Sequence, residues 1–156
     1  MPVIKTCFEI DAPIELAFDL ARSIDFHAYS QHEHSEIAVA GVMKGLIGLD
    51  ETVTWRARHF GISQQLTAKI TICDRPHHLR DSMVKGAFKR FDHDHLFESK
   101  NDKILMTDIF DYDSPLALVG KIFDKLLLER YMTKFFIDRN TLMKETLESG
   151  RWKDFI

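Results

Sequence analysis

The sequence predicts an α+β fold in which a curved antiparallel sheet of about six or seven strands wraps around a long C-terminal helix. Most of the chain before Asp113 alternates apolar and polar residues at strand spacing. From Ser114 onward apolar residues recur at helical spacing, and only Gly120 interrupts them before Gly150. Two short helical patterns separate the first strand from the second. Hairpin-connected strands followed by one long helix are typical of an α+β domain.

The first predicted strand covers residues 3–10, where apolar and polar side chains alternate. The turn at Pro13 leads into a short helix that Asp11 or Ala12 is expected to cap. Ser23 is expected to cap a second short helix, which runs to about Tyr29. The side chains predicted to face the core are Ile4, Thr6, Phe8 and Ile10 in the strand and Ile14, Ala17, Phe18 and Ala21 in the helix.

Six more strands are predicted at residues 36–42, 49–60, 62–72, 79–84, 88–98 and 104–112. The clearest hairpin joins the third and fourth strands of the chain, because Gly61 separates two strongly alternating segments. A sheet of this many strands curls, and a curled sheet packed on a helix commonly encloses a cavity.

The C-terminal helix is expected to begin with Ser114 as its cap and Pro115 in its first turn. An unbroken helix from there to Gly150 would be about 50 Å long. Its apolar stripe changes side, which predicts a break between Leu127 and Arg130 and a short helix before it. One straight helix buried on both sides is the alternative. The short helix would cover the mouth of the cavity, with Phe123, Leu127 and Tyr131 as its gate.

Composition places the chain among globular proteins with one substantial core, since its 156 residues are 45% hydrophobic and 29% charged. Charges of both signs are interspersed and sum to −3, so nucleic acid is not an expected partner. Cys7 and Cys73 stand far apart and suggest reduced thiols in a cytoplasmic protein. No apolar run approaches the roughly 20 residues of a membrane span. We expect no membrane insertion and a monomer or homodimer.

Four polar side chains are predicted to converge inside the sheet. Strand alternation puts His93 and His95 on the inward face of one strand, between Phe91 and Phe97. The same alternation brings Asp81 and Asp108 inward from two other strands. Carboxylates and imidazoles buried together have shifted pKa values and can transfer protons. A purely structural role, anchoring of a ligand and catalysis by His93 with Asp108 all remain open.

Metal binding is weakly indicated by the sequence. His93 and His95 have the spacing at which two strand residues can chelate an ion, and His32 and His34 repeat it. A third ligand of matched spacing is not evident from the sequence. We therefore predict neither a metal nor a cofactor.

The chain also resembles a known superfamily in four segments: residues 8–13 (FEIDAP), 51–55 (ETVTW), 91–97 (FDHDHLF) and 107–120. These are similar to the START-like, birch-pollen-allergen-like superfamily (SRPBCC), especially bacterial polyketide cyclase/dehydrase-like or lipid-transport-like members. The resemblance implies the helix-grip fold, with residues 1–150 as one ligand-binding domain and 151–156 as a C-terminal tail. It implies little about chemistry, because this fold hosts lipid carriers, hormone receptors, cyclases and ring-hydroxylase subunits.

The predicted function is binding, or carriage, of a small hydrophobic molecule such as a lipid, an aromatic or a polyketide-like compound. Asp81, His93, His95 and Asp108 would orient its polar end. The predicted apolar walls are Trp55, Leu66, Met83, Phe91, Phe110, Phe123, Leu127 and Tyr131. The alternative is a cyclase or dehydratase in which His93 or His95 moves a proton and Asp108 or Asp81 fixes the tautomer. A third possibility is an interaction protein whose cavity is filled by its own side chains.

Overall fold

The structure, a computed structural model, describes residues 2–114 and 127–156. Its strands are β1 (Val3–Ile10), β2 (Ile37–Gly41), β3 (Thr52–His59), β4 (Ile62–Asp74), β5 (His78–Lys85), β6 (Arg90–Lys100) and β7 (Lys103–Asp113). Its helices are α1 (Ile14–Ala21), α2 (Ile24–Ser30) and α3 (Glu129–Glu148), with 3₁₀ turns at His32–His34 and Arg151–Asp154. None of the described helices is long and apolar enough to cross a membrane.

The seven strands form one antiparallel sheet in the order β1-β7-β6-β5-β4-β3-β2. Consecutive strands are neighbours except that β1 pairs with β7, which places α1 and α2 in the connection from one sheet edge to the other. The predicted β3–β4 hairpin is present, and its turn residues Phe60 and Gly61 have φ angles of 52° and 73°. Two register shifts in β4 interrupt its pairing with β5, and such bulges bend a strand. The predicted fold class is confirmed.

α3 packs against the concave face of the sheet, and its main strand contact is with β1. It begins at Glu129, and Leu128 before it already has helical dihedral angles. The short helix predicted at residues 116–127 and the gate residue Phe123 lie outside the described residues, so the predicted break stays a prediction. The charged residues Arg130, Lys134, Asp138 and Glu145 are exposed.

The buried face of α3 differs from the apolar stripe read from the sequence. Phe136 is buried, whereas Tyr131, Phe135 and Leu142 are only partly buried. Arg139 is 3% exposed, and its neighbour Asn140 is 1% exposed. Both side chains reach a buried carboxylate on β7. A pattern based only on apolar residues does not predict that these polar side chains are buried.

Two apolar clusters fill the interior. The larger cluster joins α1 and α2 to one half of the sheet, and Phe18 packs edge-on against Phe97 at its centre. The smaller cluster lies between α3 and the other half, around Phe110 and Phe136. The segment 151–156, predicted as a tail, packs against α2, where the Phe155 ring lies 5.5 Å from that of Phe26.

Candidate functional site

A cavity of about 550 Å³ lies between the concave face of the sheet and α3. Its size falls within the range of about 300–1,000 Å³ that is usual for small-molecule sites. Most of its lining is apolar. The apolar side chains that line it include Trp55 and Ala57 from β3, Leu66 and Ala68 from β4, Phe91 from β6, Phe110 from β7, and Leu128, Met132 and Phe136 from α3.

The Asp–His cluster, which consists of Asp81, His93, His95 and Asp108, borders the cavity, and Asp81 and His93 line it. His95 lies opposite Asp108 in the β6–β7 pairing, and its Nδ1 donates to Asp108 Oδ1 at 2.8 Å. Asp81 lies opposite His93 in the β5–β6 pairing. Asp81 Oδ1 is 3.6 Å from His93 Nδ1 and 3.5 Å from His95 Nε2. Strand alternation and the register of β5, β6 and β7 together bring these four groups into contact.

Asp108 is held from the far side by α3. Asn140 Nδ2 donates to Asp108 Oδ2 and also to Thr6 Oγ1 on β1. The guanidinium of Arg139 donates to Asn140 Oδ1 and lies 3.9 Å from Asp108 Oδ2. Because Asp108 is 2% exposed, these donors compensate for the loss of its hydration. The Asn140 amide thus connects three elements: β1, β7 and α3.

A smaller cavity of about 80 Å³ adjoins the cluster, and Asp81, His93 and His95 all line it. Asp81 and His93 line the large cavity too. Asp108 is not among the described lining residues of either cavity. It lies behind the imidazoles, so a bound molecule would meet Asp81 and His93 first.

The two histidines differ in charge. Burial by itself would lower the pKa of His95, but the Asp108 and Asp81 carboxylates outweigh burial and raise that pKa to about 9. Burial and the neighbouring charge of His95 lower the pKa of His93 to about 3. Burial opposes ionisation of Asp81 and Asp108, yet the imidazoles keep the pKa of each below its usual value. Without a bound ion, His93 is neutral and His95 carries the positive charge.

A second polar cluster lies where β3 meets α3. We call it the histidine rim, and it consists of His34, His59 and Tyr131. Tyr131 contacts two histidines through its hydroxyl, His59 Nδ1 at 2.7 Å and His34 Nδ1 at 3.3 Å. Nearby, His27 pairs with the buried Glu36 at 2.8 Å and stacks on Trp55. His27, Glu36, His59 and Tyr131 line the large cavity. Only Tyr131 was predicted, although His59 shares the inward parity of Trp55; nothing in the sequence pointed to Glu36.

The other predicted binding residues are placed as follows. Trp55, Leu66, Asp81, Phe91, His93, Phe110 and Tyr131 line the large cavity, and His95 lines the small one. Met83 packs against the smaller apolar cluster and is not among the described lining residues. Leu127 is 49% exposed, whereas Leu128 lines the cavity, since consecutive helical residues point about 100° apart. Phe123 lies outside the described residues.

No protein-family model matches the chain, and no curated protein sequence matches it. Solved structures do match in fold. The protein TTHA0849 from Thermus thermophilus has a TM-score of 0.77 at 18% identity, over 96% of this chain and 99% of that one. A START superfamily protein from Mycobacterium smegmatis has a TM-score of 0.69 at 14% identity, over 93% and 98%. Major latex-like protein 151 from Panax ginseng has a TM-score of 0.65 at 12% identity, over 94% and 97%.

These matches cover nearly the full length of both chains, although their sequence identities are low. Together with the seven-stranded curved sheet, the two short helices after β1 and the C-terminal helix, they identify the architecture. The chain has the helix-grip fold, and the START superfamily protein from Mycobacterium smegmatis is similar to it in fold.

Proposed function

We propose that this protein binds a small hydrophobic molecule in the large cavity, with its polar groups at the Asp–His cluster. The observation that carries the proposal is the cavity itself, about 550 Å³ in volume and lined mainly by apolar side chains. Transfer of an apolar ligand from water gains about 25 cal/mol for each Å² that it buries. The fold is one that the sequence resemblance associates with lipids, aromatics and polyketide-like molecules.

Two groups of polar side chains in the cavity lining narrow the class of ligand. Asp81 accepts hydrogen bonds. The histidine rim, with His59 and Tyr131, offers both donors and acceptors. A ligand with an apolar body and a hydroxyl or similar donor at its end fits this distribution. A fully apolar hydrocarbon would leave Asp81 without a new partner.

Native mass spectrometry of protein purified from cells without denaturation tests the proposal. We expect a fraction of the protein to carry one apolar molecule, which tandem fragmentation then identifies. Trp55 supplies a second readout, because it lines the cavity and is one of only two tryptophans. In Trp152→Phe the remaining emission comes from Trp55, and ligand addition should change it with saturation at one equivalent.

A cavity-filling variant with a matched control makes this test specific. Ala57 lines the cavity from β3, so Ala57→Phe should occupy the space of the ligand and abolish binding. Its neighbour Arg56 is exposed on the opposite face of the same strand. Arg56→Phe adds the same ring there and should leave binding unchanged. Equal binding by wild type and a folded Ala57→Phe would refute the cavity as the binding site.

A second candidate is proton transfer of the cyclase or dehydratase type, for which His93 provides the specific observation. Its imidazole borders the large cavity, and its Nε2 has no hydrogen-bond partner among the described side chains. The test uses the ligand that native mass spectrometry identifies, incubated in D₂O with wild type or His93→Gln. Enzyme-dependent deuterium incorporation at a carbon, lost in His93→Gln, would support catalysis. If deuterium incorporation does not exceed the uncatalysed rate, catalysis is refuted and binding is the function that stands.

A further inference from the structure

We propose that Asp81, His93 and His95 form a binding site for one divalent transition-metal ion, with Zn²⁺ as the probe. The ligand atoms are Asp81 Oδ1, His93 Nδ1 and His95 Nε2. One ligand atom from each residue lies within 4.8 Å of those of the other two. Two imidazoles and a carboxylate are a donor set that Zn²⁺ and Fe²⁺ use, with open positions left for water or another ligand.

The distances favour an ion over direct hydrogen bonds. Asp81 Oδ1 is 3.6 Å from His93 Nδ1 and 3.5 Å from His95 Nε2. An N–H···O hydrogen bond is usually 2.7–3.2 Å long, so these atoms face one another at slightly more than bonding distance. Metal–ligand bonds of about 2.0–2.2 Å in tetrahedral geometry separate two ligand atoms by roughly 3.3–3.6 Å. The two separations from Asp81 match that spacing, and the two imidazoles present their ligand nitrogens within 4.8 Å of each other.

The surroundings supply the orientation that metal-binding histidines commonly have. Such a histidine directs its other ring nitrogen to a carboxylate, which fixes the orientation of the ring. His95 Nδ1 is 2.8 Å from Asp108 Oδ1, so its Nε2 is turned toward Asp81. His93 Nε2 is 3.9 Å from Asp108 Oδ2 and has no hydrogen-bond partner among the described residues, although His93 is 7% exposed. Asp108 would thus act as a positioning residue for His95, and its carboxylate lies near the unpaired His93 Nε2.

Charge and space also suit a cation. Without an ion, the negative charges of Asp81 and Asp108 face the positive charges of Arg139 and protonated His95, so an ion bound to His95 Nε2 takes the place of the proton on that nitrogen. The small cavity that the three ligands line has a volume of about 80 Å³. A single water needs about 10–15 Å³ measured in the same way, so the site has room for an ion and exchangeable waters. Since Asp81 and His93 also line the large cavity, the open positions would lie next to a bound hydrophobic molecule.

The test uses tag-free full-length protein that has been dialysed against a chelator and then titrated with Zn²⁺ in the absence of any organic ligand. Calorimetry, together with metal analysis after desalting, should give one Zn²⁺ per chain. Asp81→Asn, which preserves shape, and His93→Gln should each weaken binding at least tenfold. His78→Gln is the control, because His78 lies on β5 outside the cluster and pairs with Asp94. It should bind Zn²⁺ like wild type.

Co²⁺ gives a readout that does not depend on the variants folding. Wild type loaded with Co²⁺ should show the intense visible bands of a four- or five-coordinate ion, and addition of Zn²⁺ should bleach them. Absence of stoichiometric uptake by wild type, or equal uptake by a folded Asp81→Asn, would overturn the metal site. Neither result bears on the hydrophobic cavity, whose test is Ala57→Phe.

Discussion

The imidazole of His95 and the carboxylate of Asp108 face each other directly across the β6–β7 ladder, and His95 Nδ1 donates to Asp108 Oδ1 at 2.8 Å. Both residues are almost fully buried, at 3% and 2% exposure. A charged pair at this depth is sensitive to the loss of one partner, because the other charge then stays in a poorly solvating interior. A substitution in this pair should therefore change both the polar site and the stability of the fold.

Asp108→Ala should destabilise the fold by about 3–5 kcal/mol, the usual cost of removing one partner from a buried ion pair. The substitution removes the acceptor of His95 and of Asn140 at once. Urea denaturation followed by circular dichroism gives the free energy of unfolding. On the same strand but the opposite face, Asp111 pairs with Arg90 near the surface. Asp111→Ala should cost no more than about 1 kcal/mol, and similar losses in the two variants would contradict the burial argument.

Asn140 and Asp108 should be energetically coupled. Asn140→Ala removes donors to Asp108 and Thr6, and an unsatisfied buried acceptor costs about 1–3 kcal/mol. Because the two side chains share one interaction, the double variant should lose less stability than the sum of the single variants. A double-mutant cycle in urea measures the difference. Strict additivity would mean that Asn140 stabilises α3 independently of the cluster.

Gly41 and Gly45 offer a matched pair for backbone substitution, since both have positive φ, 72° and 76°. A Cβ at Gly41 would lie 2.2 Å from the Thr52 carbonyl oxygen, whereas a Cβ at Gly45 would meet nothing within 4 Å. Gly45→Ala should cost about 1–2 kcal/mol, the penalty of the left-handed conformation alone. Gly41→Ala should cost more, because it also forces β2 away from β3. Equal losses of stability in Gly41→Ala and Gly45→Ala, measured by thermal or urea unfolding, would exclude this close approach of Gly41 to Thr52.

Acid should destabilise the protein partly through Asp19. Burial by itself would raise the pKa of Asp19, but hydrogen bonds from Arg75 and Arg22 hold it below its ordinary value. A carboxyl with a lowered folded-state pKa stabilises the fold above its unfolded pKa, and that stability is lost as pH falls toward the folded pKa. Between about pH 5 and pH 2, unfolding free energy should fall more steeply in wild type than in Asp19→Asn. If unfolding free energy fell equally with pH in wild type and Asp19→Asn, Asp19 would not contribute to the acid sensitivity of the fold.

Alternation within strands was enough to predict most of the sheet and the convergence of the Asp–His cluster. The reason is that successive strand residues point to opposite faces, so the parity of Phe91 and Phe97 also decides that of His93 and His95. The β6–β7 hairpin connects through a two-residue turn at Asn101 and Asp102, which keeps His95 in register with Asp108. Local pattern and long-range pairing agree in this part of the chain.

The helix was harder to interpret than the strands. The buried face of a helix is predicted from its apolar residues. Arg139 and Asn140 are polar, and they are buried because they contact a carboxylate on β7, far earlier in the chain. Their burial depends on Asp108 lying under α3, which no local pattern contains. The histidine rim has the same origin, because Tyr131, His34 and His59 come from three separate segments that meet only in the folded chain.

By itself the sequence determined the strands, their inward faces, the two short helices and the terminal helix, because hydrophobic periodicity is a local property that burial acts on directly. Only the tertiary structure decided the distances: which ring nitrogen faces Asp81, how Asn140 supports Asp108, and how much space remains between the sheet and α3. Those quantities arise from strand register, sheet curvature and the rotation of a helix about its axis, none of which is encoded within a single segment.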